Sequence, residues 1–225
     1  HQAKEAEQRK NDLIVYLAHD LKTPLTSVIG YLTLLRDEQE ISSELRKHYL
    51  SISLDKAERL EELINEFFEI ARFNLSNIEL MPTKVHLKMM LEQLSYEFLP
   101  LLSSKQLTLE SELEADLSIR FDVDKMQRVF DNLLQNAINY SYEGAVIKLS
   151  AKTDQDKKRV KIIFSNQGPT IPPEKLSRIF EQFFRLDTAR QTNRGGAGLG
   201  LAIAKQIIEL HAGQLTAQKI GRAHV

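Results

Sequence analysis

Leu17-Ala18-His19-Asp20-Leu21-Lys22-Thr23-Pro24-Leu25 sets one histidine beside an acid within a run whose apolar residues recur at helical spacing. At ~100° per residue, with Leu13 as zero, Leu13, Leu17, Leu21, Pro24, Val28, Tyr31 and Leu35 fall between roughly 0° and 80°, whereas His19 falls near 240°. The stripe predicts a buried helix face with His19 turned to water. Thr23, near 280° on the same wheel, shares its surface, and Asp20 is close enough in sequence to orient the imidazole or take its proton. Most solvent-facing polar residues do nothing chemical. Pro24 sets this stretch apart, because a proline inside a helix deletes a backbone hydrogen bond and bends the axis at a cost of ~3 kcal/mol. A displayed nucleophile on a locally mobile helix is the expectation.

Outward from this stretch, Glu5 to Asp37 reads as one long helix, and the polar break from Glu38 to Ser43 offers Ser42 or Ser43 as cap of the next. The second helix carries Leu45, Tyr49, Ile52, Leu60, Leu63, Phe67 and Ile70 on one stripe, with Lys56 interrupting it and snorkelling to the surface. Two such helices form an antiparallel hairpin. An isolated amphipathic pair leaves part of each stripe wet, so two copies associating as a four-helix bundle, a homodimer, is expected. The periodicity lapses near Pro82. Residues 1–75 are therefore assigned to the hairpin, 76–84 to a linker and 85–225 to a second domain.

The 225 residues, 42% of them hydrophobic, suffice for a core in each of two domains. Lys and Arg number 30 against 31 Asp and Glu, so no basic surface dominates and nucleic acid is not an expected partner. Without cysteine there is no disulfide framework, thiol nucleophile or thiolate zinc site, which fits a reducing, cytoplasmic setting. No apolar run approaches the ~20 residues that span a bilayer, and the charged opening from His1 to Asp12 has no signal-peptide core, so a soluble chain is expected. His1, His48, His86, His211 and His224 show no metal-ligand spacing and read as structural or solvated, and no zinc is expected.

Beyond the linker the pattern changes class. A helix is predicted over about 87–103, strands over 107–113 and 117–121, a helix over 124–140 and strands near 146–151 and 160–165. A short helix at 174–180, a helix at about 199–211 and a last strand near 214–218 follow. Helices on one face of a mixed, largely antiparallel sheet make an α+β domain.

Three segments of that domain carry chemistry. Arg194-Gly195-Gly196-Ala197-Gly198-Leu199-Gly200-Leu201 opens directly onto a predicted helix, where main-chain amides can turn toward a phosphate. No Gly-Lys-Ser/Thr follows, which excludes the Walker loop, and no simple strand precedes it, which argues against a dinucleotide fingerprint. Asn132 and Asn136 lie four apart on one helix and face the same way, a spacing suited to a magnesium ion and its phosphates. Phe164-Ser165-Asn166-Gln167-Gly168-Pro169-Thr170-Ile171-Pro172 ends a strand in a turn, where Asn166 can hydrogen-bond a base edge walled by Ile171. Each alone also has an ordinary reading as loop, polar face or turn.

Taken in order, these segments resemble the sensor histidine kinases of two-component systems, over the chain from about Glu5 to Gln218. Ala18 to Leu25 resembles the phosphoacceptor box, Asn132 to Tyr140 the N box, Asn166 to Ile171 the G1 box, Phe180-Glu-Gln-Phe-Phe-Arg185 the F box and Gly196 to Leu201 the G2 box. Within that family the wording around His19, Asp55-Lys-Ala-Glu-Arg-Leu60 and Gly195 to Lys205 is similar to the vancomycin-resistance sensors.

The resemblance implies a helical hairpin forming a dimeric four-helix bundle, followed by an α+β sandwich of the Bergerat (GHKL) ATP-binding type. It implies autophosphorylation of His19 by ATP and transfer to an aspartate on the receiver domain of a response regulator, in a signalling pathway of glycopeptide-antibiotic resistance. Asp20 would assist His19, Thr23 would orient water for phosphatase action on that regulator, and Arg185 would face the transferring phosphate. Asn132, Asn136, Tyr140, Asn166, Gly168, Ile171, Phe183, Gly196, Gly198, Leu199 and Gly200 would hold ATP, with Asn136 on Mg2+. The full-length protein would meet the membrane only through upstream segments. Rival readings are another ATPase of the same fold, a serine kinase, or a non-catalytic dimeric interaction module.

The sequence also departs from the family pattern. Asn166 stands where Asp is usual, Thr170 replaces a glycine and Asn139 stands where many relatives carry Lys, so weaker nucleotide affinity is expected. Lys219 to Val225 lacks the alternation of the further strand that the pattern calls for, which predicts a non-native tail and a domain without its last strand.

Overall fold

The computed structural model describes residues 2–38, 40–75, 79–154, 159–186 and 198–219, with backbone alone for 2–17, 19, 69, 70 and 72–75. The chain divides into two compact units, His1–Ser76 and Asn77–Val225.

The first unit is two long helices, α1 (Gln2–Asp37) and α2 (Ser43–Leu75). Ser42 is the cap: its Oγ accepts from the Leu45 N–H at 3.2 Å, satisfying one orphan donor of the first turn. Pro24 is buried, and Leu21, Val28, Tyr31 and Leu35 are half-buried, as the wheel requires. Tyr31 and Tyr49 rings meet across the hairpin at 5.3 Å. Ser53 is buried among the apolar side chains of α2, and its hydroxyl donates to the Tyr49 carbonyl at 2.8 Å, which removes the cost of an unpaired group. Leu25, Ile29 and Leu32, at roughly 100° to 160° on the α1 wheel, remain exposed, as do Leu50, Leu54 and Phe68 of α2. The apolar surface of the hairpin is thus wider than one partner helix covers. None of the described helices is long and apolar enough to cross a membrane.

The second unit begins with β1 (Thr83–His86), which pairs antiparallel with β3 (Ser118–Phe121). The linker expected to run through Lys84 therefore gives way to a strand at Thr83. A four-residue strand with mostly exposed side chains has no alternation to find, and its partner lies far along the chain. The single helix expected over 87–103 is two, α3 (Leu87–Glu97) and α4 (Leu99–Ser104). Pro100 supplies no N–H and restricts Leu99, so the helix restarts after Phe98.

A three-stranded sheet follows in the order β2-β4-β5, from β2 (Thr108–Leu113), β4 (Val146–Thr153) and β5 (Val160–Ser165). β4 pairs antiparallel with β5 and parallel with β2, so the sheet is mixed, as expected, and two of the three described strand pairings are antiparallel. The helix α5 (Val123–Tyr140) intervenes in the chain and supplies the crossover that a parallel pair needs. Along β4, Ile147, Leu149 and Ala151 are buried while Lys148 and Lys152 face water opposite Glu110 and Glu112, at 3.5 and 2.6 Å. The core joins these side chains to Leu87, Leu91 and Leu94 of α3, Val129, Phe130, Leu134 and Ile138 of α5, and Ile203 and Ile207 of α6 (Gly200–Leu210).

Two further expectations are corrected. The segment expected as a short helix over 174–180 is two 3-10 turns, Pro173–Lys175 and Arg178–Phe180. Residues 214–218, expected as a last strand, are irregular. A strand exists only through ladder hydrogen bonds, and no described segment pairs with these residues. The expectations for residues 220–225 lie outside the described residues.

Candidate phosphotransfer and nucleotide sites

On α1 the backbone is helical through His19, whose imidazole, and with it the expectation that the ring faces water, lies outside the described residues. Asp20 is half-buried and Thr23 exposed. Pro24 has no N–H to give the carbonyl of Asp20, so the helical ladder is interrupted one turn beyond the histidine. Ser27 Oγ donates to the Thr23 carbonyl at 3.2 Å, a back-bond that accompanies bending. The segment is therefore held by one backbone hydrogen bond fewer than a regular helix.

In the second unit, α5 starts at Asp122, which is 9% exposed. The Asp122 carboxylate accepts from the Lys125 N–H at 3.2 Å and the Met81 N–H at 3.0 Å. Burial pushes its pKa up, but the N–H groups of Met81 and Lys125 and the charge of Lys125 outweigh it, leaving the carboxyl below its ordinary value. The Asp122 N–H donates to His211 Nε2 at 3.0 Å, so the proton of a neutral His211 sits on Nδ1, 2.8 Å from the Ile207 carbonyl. This pairing, invisible in the sequence, ties the start of α5 to the end of α6. His211 is structural, as read.

One turn from the core residues of α5, Asn132 reaches the N-terminus of α6. A methyl placed on Gly200 would lie 3.2 Å from Asn132 Oδ1, so glycine permits the close approach. Asn132 Nδ2 is buried without a hydrogen-bond partner among the described residues, a donor held beside the opening of a helix. Asn136 is half-buried one turn further on, at the spacing that puts both amides on one face.

Gly168 is fixed by a different contact. A Cβ there would lie 1.9 Å from the carbonyl oxygen of Tyr140, and the Tyr142 N–H donates to Gln167 at 2.9 Å. The turn after β5, with Asn166 exposed and Ile171 half-buried, is thereby seated on the end of α5 beside Tyr140. Gly198 has φ +78° and its carbonyl accepts from the Phe183 N–H at 3.0 Å. Phe183 itself has φ +63°, a strained value for an aromatic residue that this pairing holds. Leu199 is fully buried and anchors the helix start. Arg178 sits 4.6 Å over the Phe184 ring.

The structure thus brings together Asn132 with Gly200, Tyr140 with Gly168, and Phe183 with Gly198, while Arg185 is half-buried two residues beyond Phe183. Gly195 and Gly196 lie outside the described residues. Sequence reading missed Lys105, whose Nζ donates to the Ile138 carbonyl at 3.1 Å and to Asn139 Oδ1 at 3.2 Å. No motif contains that lysine.

Comparison with known proteins matches residues 9–75 to the His Kinase A (phospho-acceptor) domain and residues 121–223 to the histidine kinase-, DNA gyrase B- and HSP90-like ATPase family. Sensor protein VanSC of Enterococcus gallinarum is 52% identical over 96% of this chain and 59% of its own length. Sensor protein VanS of Enterococcus faecium is 50% identical over 96% of this chain and 56% of its own length. The chain therefore spans somewhat over half of these relatives. Histidine kinase ThkA, solved in complex with response regulator protein TrrA, shares the fold with a TM-score of 0.74 at 24% identity, over 93% of this chain and 57% of that one.

Proposed function

This chain belongs to the sensor histidine kinases of two-component systems, and on that premise we propose that ATP held by the second unit phosphorylates His19, which passes the group to an aspartate of a response regulator. The reading rests most on the Asn132 side chain set against Gly200: an amide donor without a protein partner at a helix opening suits a phosphate better than any structural role.

The residues present fit MgATP. Asn132 and the amides from Gly196 to Gly200 would take phosphate oxygens, Tyr140, Asn166, Gly168 and Ile171 the base and sugar, and Phe183 and Leu199 the walls. Asn136 would offer its carbonyl oxygen to Mg2+, which, when bound, neutralises charge on the phosphates. Neutral His19 attacks the γ-phosphorus through Nε2 in line with the bridging oxygen. The new N–P bond forms as the P–O bond breaks, and ADP leaves with the electron pair. Asp20 takes or steers the Nδ1 proton of the imidazolium, and Arg185 offsets charge on the moving group. Thr23 would orient water against the phosphorylated regulator, giving phosphatase activity.

The wet apolar stripes of α1 and α2 support a homodimeric four-helix bundle, and the likeness to the VanS sensors supports a place in glycopeptide resistance. In a longer protein, upstream segments would anchor the chain at the membrane, with this portion in the cytoplasm. Incubation with γ-labelled ATP and magnesium tests the central reaction: wild type should carry acid-labile label, and His19→Gln and Asn136→Ala none. Acid-stable label would favour a serine kinase, and release of phosphate without label another ATPase of this fold.

A further inference from the structure

At ~100° per residue along α5, Asn136 lies about 40° to one side of Asn132, Asn139 about 20° to the other and Gln135 about 60° to that same other side. Asn132, Asn136 and Asn139 therefore share the face that starts at Gly200 and runs toward Tyr140, with Gln135 at its edge. Asn139 Oδ1 accepts two hydrogen bonds, from Lys105 Nζ at 3.2 Å and Gln135 Nε2 at 3.1 Å. An ammonium group has donors only, so the Asn139 atom facing Lys105 must be the oxygen. Both of these contacts go to the oxygen, so the NH2 end is the end of the carboxamide left to meet a ligand.

Resting on the nucleotide-binding reading above, we propose that Lys105 is a positioning residue for phosphate recognition: it pins Asn139 so that the NH2 end faces the nucleotide phosphates, with the ammonium charge directly behind the amide. An unpinned asparagine presents either end, and its oxygen repels a phosphate. Lys105 is itself held by the tight turn after α4. Its N–H and that of Leu107 both donate to the Leu102 carbonyl, at 3.2 and 2.9 Å, and Leu102 is buried. Its second bond, to the Ile138 carbonyl at 3.1 Å, steadies the ammonium group against the last turn of α5.

Calorimetric titration of the whole chain with MgATP, and with adenosine as a phosphate-free probe, tests this. Lys105→Met should weaken MgATP by about tenfold, the usual worth of a charge-assisted contact, while adenosine affinity stays unchanged. Asn139→Asp keeps an acceptor for Lys105 and Gln135, so the fold is retained, but it has no donor and should weaken MgATP at least as much. Adding Asn139→Lys to Lys105→Met puts a cation on the face directly and should restore MgATP binding. If both single variants bind MgATP as wild type does, or lose adenosine as much as MgATP, Lys105 is a helix cap only and the proposal is overturned. Wild type that binds neither ligand would remove the nucleotide reading itself, and this inference with it.

Discussion

Two glycines show how much a single position decides. Gly168 sits where a Cβ would meet the Tyr140 carbonyl oxygen at 1.9 Å, so Gly168→Ala must push the G1 turn off α5. A melting-point loss equivalent to about 1–3 kcal/mol is expected, together with weaker MgATP binding. Gly30, inside α1, has nothing within 4 Å of the same built atom. Gly30→Ala should therefore stabilise the helix by up to about 1 kcal/mol through propensity alone. At this scale the sequence was informative about residue type and silent about reason. The spacing of Asn132 and Asn136 identified a polar face, but the approach of Gly200 to Asn132, the Lys105 contact and the His211 acceptor for Asp122 join residues tens of positions apart, and no periodicity records such pairs.

At the scale of elements, α5 carries the most of the site, and its start is tuned by Asp122. The folded-state pKa of that carboxyl lies below its unfolded value of ~3.9, so its contribution is fully present above that value and lost as pH falls through the lower, folded one. Asp122→Ala should cost the second unit about 1–2 kcal/mol near neutral pH, and the melting difference between variant and wild type should shrink as pH drops below about 4. A difference that persists unchanged into acid would mean that the cap acts through packing. His211→Ala should also lower the melting temperature, because the Asp122 N–H then loses its acceptor. Long periodic elements such as α1, α2 and α5 were legible because burial on one face imposes a pattern. β1 was not, since four mostly exposed residues carry none, and 214–218 show alternation without forming a strand because alternation yields one only where a partner edge exists. The split between α3 and α4 is encoded in Pro100, which a continuous apolar period across 87–103 masks.

For the whole molecule, a helical hairpin is followed by an α+β unit in which Gly200 meets Asn132 and Gly168 meets Tyr140 along α5. The exposed Leu25, Ile29, Leu32, Leu50 and Leu54 should close against a second copy. Sedimentation at micromolar concentration should return a dimer for wild type and a monomer for Ile29→Glu combined with Leu54→Glu, and a monomeric wild type would exclude the four-helix bundle. The most direct measurement concerns the phosphoryl group itself. Phosphorus NMR of the chain after incubation with MgATP, recorded at alkaline pH, should show a single resonance of histidine phosphorylated on Nε2, absent from His19→Gln; a phosphoester resonance, or a signal that survives in His19→Gln, would contradict phosphotransfer through His19.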